Sequence, residues 1–170
     1  MPNLATKNFR QRRLSTHRFA CLLRADHPIY ADRLRVADFL KVEHVVVAAG
    51  GRSQEVVERF FQRRGIKRKI ALRVAHFLGV PLIVAASDLV ATVPWAVARD
   101  FAEMSPRLAV ALPPFDIPGF ELKLHWHRRF DNEPRSRWFR DLLVQVFQED
   151  RRSTMPPEPR GERKRTKTGT

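Results

Sequence analysis

EHVVVAAGGRSQEVVERFFQRRG, residues 43–65, decides the fold class. Its first seven residues, EHVVVAA, contain a continuous β-branched run, the composition of a strand buried on both faces and so of a parallel sheet. Two glycines follow. Val56, Val57, Phe60 and Phe61 then recur at helical spacing, and Gly65 stands just past the last apolar position, where a helix commonly ends. A buried strand, a permissive turn and an amphipathic helix in that order make one unit of an α/β layer.

The pattern repeats downstream. KIALRVAH, 69–76, alternates as a strand does, and residues 77–86 are apolar throughout and predict a buried helix, with Pro81 tolerable in its first turn. LVATVP, 89–94, predicts another strand and WAVARDFAEM a helix. Strand, helix, strand, helix, strand, helix argues for helices covering a largely parallel sheet. Upstream, a strand is expected around residues 18–23, and ADRLRVADFLKVEH reads as a short helix or turn. Downstream, strands are expected at 108–111 and 120–127, joined by the proline-rich PPFDIPG. An amphipathic helix over 134–149 has Trp138, Leu142, Leu143, Val146 and Phe147 as its apolar stripe. Residues 1–15 form a weakly patterned basic segment, and 150–170 a basic tail expected to be disordered.

The formal charge is +14 over 170 residues. Residues 1–24 contribute +6, residues 151–170 contribute +5, and the body between them +3. Basic ends imply salt-sensitive, sequence-blind attraction to polyanions and not a dedicated nucleic-acid face. The single cysteine, Cys21, excludes an internal disulfide and reads as a small buried hydrophobe within FACLL. No secretory leader or membrane-spanning run is evident, so a cytoplasmic protein is expected.

Catalytic motifs are missing: there is no G-x-S-x-G, H-E-x-x-H, P-loop or G-x-G-x-x-G, and no cofactor is implied. Gly50 and Gly51 are either a permissive turn or a place where backbone N–H groups approach a small anion, with Ser53 able to cap the helix or reach a carboxylate. His76, beside Phe77, is either a satisfied core histidine or a donor that orients an aromatic or carboxylate-bearing ligand. His125 and His127 flank Trp126 and would share one face of a strand. With His76 they offer an alternative, a metal-binding protein or a hydrolytic enzyme, against a blander reading as a polar strand face.

Four stretches carry a resemblance: FACLLRADHP, VEHVVVAAGG, GIKRKIALRVAHFLGVPLIVAASDLVATVP and FELKLHWHRRFDNEPRSRWFRDLL. Over about residues 16–149 the chain resembles the effector-binding domain of LysR-type transcriptional regulators, in particular the NodD/NahR/DntR-like branch, whose inducers include flavonoids, salicylate and nitroaromatics. The resemblance implies a type 2 periplasmic-binding-protein-like α/β fold: two subdomains, two crossover segments and an effector in the cleft between them. Subdomain two would cover about 20–113, complete, and 114–149 would be the returning, C-terminal part of subdomain one. His76, Phe77, Gly50, Gly51 and Ser53 would line the cleft, with PPFDIPGFEL helping to form the opposite wall. The partner implied is a small aromatic or carboxylate effector, with a second regulator subunit possible and no enzymatic activity. The winged helix-turn-helix that binds DNA in the family has no counterpart here, so the chain is expected to be an N-terminally truncated fragment without sequence-specific DNA binding. Apolar surface on the 134–149 helix is expected to lack a covering sheet.

Overall fold

The computed structural model describes residues 8–47 and 52–149; Gly50, Gly51 and the tail beyond 149 lie outside the described residues. In chain order the elements are β1 (Phe9–His17), β2 (Phe19–Arg24), α1 (Val36–Lys41), β3 (Glu43–Val47), α2 (Arg52–Arg63), β4 (Lys69–Val74), α3 (Val80–Ala85), β5 (Val90–Pro94), α4 (Trp95–Met104), β6 (Leu108–Ala111), β7 (Phe120–His127) and α5 (Pro134–Glu149). Short 3-10 turns precede α3 at Phe77–Gly79 and α5 at Arg128–Phe130.

Five strands form the main sheet in the order β4-β3-β5-β2-β6. The sheet is largely parallel, as expected: β3, β4, β5 and β6 run the same way and β2 is the one reversed strand. β3 runs parallel to β4 and β5, whereas β2 is antiparallel to both β5 and β6. β2 is the reason the sheet is buried on both sides. Phe19, Cys21 and Leu23 face one cluster with Phe39, Val57 and Phe61 under α1 and α2. Ala20 and Leu22 face the other, with Val80, Val84 and Ala98 under α3 and α4. At ~25 cal/mol per Å² of apolar surface removed from water, these two faces are the main source of stability. Cys21 is fully buried there, and burial pushes its thiol up to about 12, so it is a packing group and not a nucleophile.

The α2 helix ends where the sequence indicates. Gly65 takes φ +64°, a left-handed conformation that glycine adopts without steric cost, and the N–H of Ile66 reaches back to the Phe61 carbonyl at 2.9 Å. Two expectations change. Residues 77–86 are not a helix buried throughout: a 3-10 turn leads into the one-and-a-half-turn α3, with Pro81 in its first turn. Val80 and Val84 are buried, while Leu78 and Leu82 are 80% and 76% exposed. An unbroken apolar run carries no facing information, and one side of so short a helix must look outward. The second change is in the basic N-terminal segment. Residues 9–17 form β1, which pairs antiparallel with β7 from Phe9↔His127 to His17↔Phe120, with a bulge between Arg13 and Ser15.

This β1–β7 ribbon is a separate two-stranded sheet, covered on one face by α5. Arg140 lies 4.8 Å over the Trp126 ring, and the Trp126 indole N–H donates to Asp131 at 2.7 Å. The apolar stripe of α5 is only partly used. Of the expected stripe, Leu143 and Phe147 are half-buried while Trp138 and Val146 are 67% and 52% exposed, matching the expectation of an uncovered face; the buried residue, Val144, lies outside that stripe, and Phe139 is 53% exposed. No helix among the described residues is long and apolar enough to cross a membrane.

Candidate functional site

Three parallel strands end at the same edge of the main sheet: β3 at Val47, β4 at Val74 and β5 at Pro94. Antiparallel β2 begins there, because Phe19 pairs with Pro94. Carboxyl ends of parallel strands are where open α/β sheets bind ligands, since loops and helix amino termini converge there. Here the ribbon joins the sheet at the same edge. One link is the single residue Arg18 between β1 and β2; the other is the 112–119 segment between β6 and β7.

The two links touch. A Cβ on Gly119 would stand 2.6 Å from the His17 carbonyl oxygen, so only glycine allows the chains to cross this closely. The Arg18 carbonyl accepts from the Trp95 N–H at 2.8 Å, which ties the crossing to the start of α4. His17 is half-buried at this point. Its ring stacks on Phe120, with centroids 5.1 Å apart and 16° between planes, and its Nε2 lies 2.8 Å from the Ser15 hydroxyl. Phe19 meets the same Phe120 ring at 5.6 Å. The result is an aromatic seam with an oriented imidazole. Beside it a cavity of about 340 Å³ opens between the links, with Arg18, Arg33 and Asp116 as its charged groups and Phe19, Phe115 and Ile117 as apolar lining. A volume of that order suits a small organic ligand.

The residues singled out from the sequence distribute unevenly around this edge. Ser53 lies in the first turn of α2, half-buried, and the neighbouring Gln54 is buried with its amide donating to the Thr92 carbonyl at 3.0 Å, fastening α2 to β5. His76 follows β4 at the outer end of the edge, exposed, in extended backbone ahead of the 3-10 turn. Phe77 is half-buried and packs on the α3–α4 side of the core. Gly50 and Gly51 fall outside the described residues. The alternative set is not assembled. His76 belongs to the main sheet's edge, whereas His125 and His127 stand on β7 of the ribbon, and the His127 Nδ1 already accepts from the Arg129 N–H at 3.2 Å. Among the described residues no group of three or more His, Cys, Asp or Glu could hold a metal ion.

The sequence singled out neither His17 nor Ser15, and Phe120 only as part of the PPFDIPGFEL wall. THRF, residues 16–19, contained a signal, a lone imidazole between two polar residues and an apolar run. What it could not contain was the stacking partner, which arrives from more than 100 residues downstream.

Comparison with known proteins bears directly on this edge-and-ribbon arrangement. The family model described as "LysR substrate binding domain" matches residues 1–148. The transcriptional activators NagR of Ralstonia sp. and NahR of Pseudomonas putida are each 36% identical to the chain, over 88% and 86% of it. The match covers 49% and 48% of those proteins, so the chain spans about half the length of the curated relatives it matches. Among solved structures, the regulatory domain of MexT, a transcriptional activator in Pseudomonas aeruginosa, superposes with a TM-score of 0.67 at 29% identity, covering 83% of this chain and 68% of that one.

Proposed function

Because the chain belongs to the LysR substrate binding domain family, we propose that it is the ligand-sensing module of a transcriptional regulator, and that its effector is a small aromatic or carboxylate-bearing molecule. One observation carries the chemical class: the seam at the strand carboxyl ends, where the His17 and Phe120 rings stack beside a cavity that contains Arg18 and Arg33. An aromatic ring can extend that stack, a guanidinium suits a carboxylate, and an imidazole held by Ser15 fixes orientation.

In this reading the main sheet, about 20–113, is one lobe, and the ribbon with α5, about 114–149 together with β1, is part of the other. Ser53, His76 and Phe77 extend the binding edge outward from the seam, and Gly50 and Gly51 join them by their place between β3 and α2. The function is sensing, with no catalytic step. Sequence-specific DNA recognition and pairing with a second subunit belong to the longer regulator, in the half that this chain does not match.

Titration of salicylate into the isotopically labelled chain tests the proposal. Amide shifts are expected to centre on His17, Ser53, Trp95 and Phe120, with His17→Ala weakening the response about tenfold, the loss of one good stacking and hydrogen-bonding group. Shifts confined to α5 and the outer face of α3 would remove the assignment. A flat response to aromatic and aliphatic carboxylates alike would remove the effector class.

A further inference from the structure

The +3 of the folded body conceals a segregation of charge. Residues 59–73, RFFQRRGIKRKIALR, contain seven cations and no acid, so the rest of the body is net acidic. Two of the seven are committed. Arg59 pairs with Glu55 at 2.6 Å, and Arg68, its side chain 3% exposed, pairs with Glu58 at 2.5 Å while lying 4.2 Å over the Phe61 ring. The other five, Arg63, Arg64, Lys67, Lys69 and Arg73, are exposed, and among the described residues none of them forms an ion pair.

Local needs explain part of this. A cation in the last turn of α2 complements the helix dipole, and lysine on the edge strand β4 discourages pairing with another sheet. Neither need calls for five uncompensated cations in eleven residues, which repel one another in the native state. The surface is also shaped. Arg59, Arg63 and Arg64 border a groove of about 450 Å³ between α2 and the 116–119 link, with Phe60 and Pro118 in its lining.

We propose that this α2–β4 face binds the phosphodiester backbone of nucleic acid without reading its sequence. The cations are spread along a helix end, a turn and an edge strand; they do not converge on one point, which suits a polymer of regularly spaced charges better than a single anion. The groove places three guanidinium groups, Arg59, Arg63 and Arg64, against a single carboxylate, Asp116, leaving a cationic excess that suits one phosphate, and the exposed positions beyond it meet the next ones. The +6 and +5 ends add to the same field. The groove shares Asp116, Pro118 and Gly119 with the lining of the effector cavity, but the contact does not rest on the effector reading and stands apart from the helix-turn-helix recognition expected of a longer regulator.

Fluorescence anisotropy with two unrelated labelled duplexes of about 20 base pairs, titrated from ~50 to ~200 mM salt, tests it on the full chain. The body variant is Arg63→Gln, Arg64→Gln and Lys67→Gln together; the tail variant is Arg163→Gln, Lys164→Gln, Arg165→Gln and Lys167→Gln. Circular dichroism and thermal melting check that both remain folded. Equal affinity for the two duplexes is expected, with the body variant about tenfold weaker and its log–log salt slope shallower by ~2.7, about 0.9 for each of three lost phosphate contacts. An unchanged slope in the body variant, with all loss confined to the tail variant, overturns the proposal. So does polyglutamate binding as tightly as duplex, which would assign the face to an acidic protein, or a dimer that dissociates in the body variant, which would assign it to a second copy.

Discussion

The main sheet and the β1–β7 ribbon are built from similar strands but close in different ways. Five strands carry two covered faces; β5 at their centre is buried along its whole length, and β2 beside it along almost its whole length. The ribbon has two strands, one covering helix and free edges, and α5 turns Trp138, Phe139 and Val146 to solvent. A two-stranded sheet is marginal by itself. The ribbon therefore holds its place through polar ties, among them Arg10 to Asp131 at 3.3 Å and Arg13 to Glu121 at 3.3 Å, and through its junction with the sheet. Exposed pairs of that kind contribute about 0–1 kcal/mol each, so the difference between the regions is one of burial, not of bonding. The lesson is that the proposed binding seam lies where a self-sufficient unit meets a dependent one.

The sharpest way to break this contrast is a pair of aromatic truncations. Phe39 is fully buried, packed against Phe61, Phe115 and His44, and Phe39→Ala should cost ~3–5 kcal/mol in urea unfolding. Trp138→Ala removes a larger ring and should cost about 0.5 kcal/mol or less, because that ring is mostly in water. Comparable losses would mean that α5 is as integral as the sheet.

Acid offers a second test, somewhat smaller. His44 is fully buried in β3, its Nε2–H donating to the Phe39 carbonyl at 2.8 Å, and burial lowers its pKa from 6.5 to about 4. Between these values the unfolded chain takes up a proton that the folded chain refuses. Stability should be level above about pH 6.5, fall by roughly 3 kcal/mol as the pH drops to about 4, and level again below it. Denaturant titrations at several pH values, with His44→Gln losing this step, check the sign and the owner. Hydrogen exchange then sharpens the regional contrast, since the loss should register in β2, β3 and β5 amides, where opening requires the sheet.

A smaller effect than at Phe39 or His44 is expected at the joint. Gly119→Ala places a methyl 2.6 Å from backbone at the chain crossing and should cost about 1–3 kcal/mol, the usual penalty of overpacking. Its signature is directional: chemical shifts should move in β7 and at His17 while β3 and β4 stay in place.

Much of the sheet was legible because its signals are local. Val56, Val57, Phe60 and Phe61 announced α2, Gly65 announced its end, and the β-branched run at 45–47 announced a strand buried on both faces. β1 was not legible. Residues 10–13 are Arg, Gln, Arg and Arg, and their strand conformation comes from a partner that enters more than 100 residues later. The outward turn of Leu78 and Leu82 was hidden for the opposite reason, an apolar run with no polar residue to mark the wet side. Of the candidate site, Ser53, His76 and Phe77 could be picked out by residue type, but His17 acquires meaning only when Phe120 lies against it. The cluster at 59–73 was averaged away by summing charge over the whole body.

The crossing at Gly119 also limits what descent can do with this protein. Any single-base change that replaces a glycine codon with that of another amino acid installs a Cβ, and here every Cβ meets the His17 carbonyl. If the cavity beside it is the effector site, as proposed, side chains at Arg18, Arg33 or Phe115 can change one step at a time, whereas every replacement at position 119 carries the cost of that contact. The cavity lining can vary at little cost; the crossing beside it cannot.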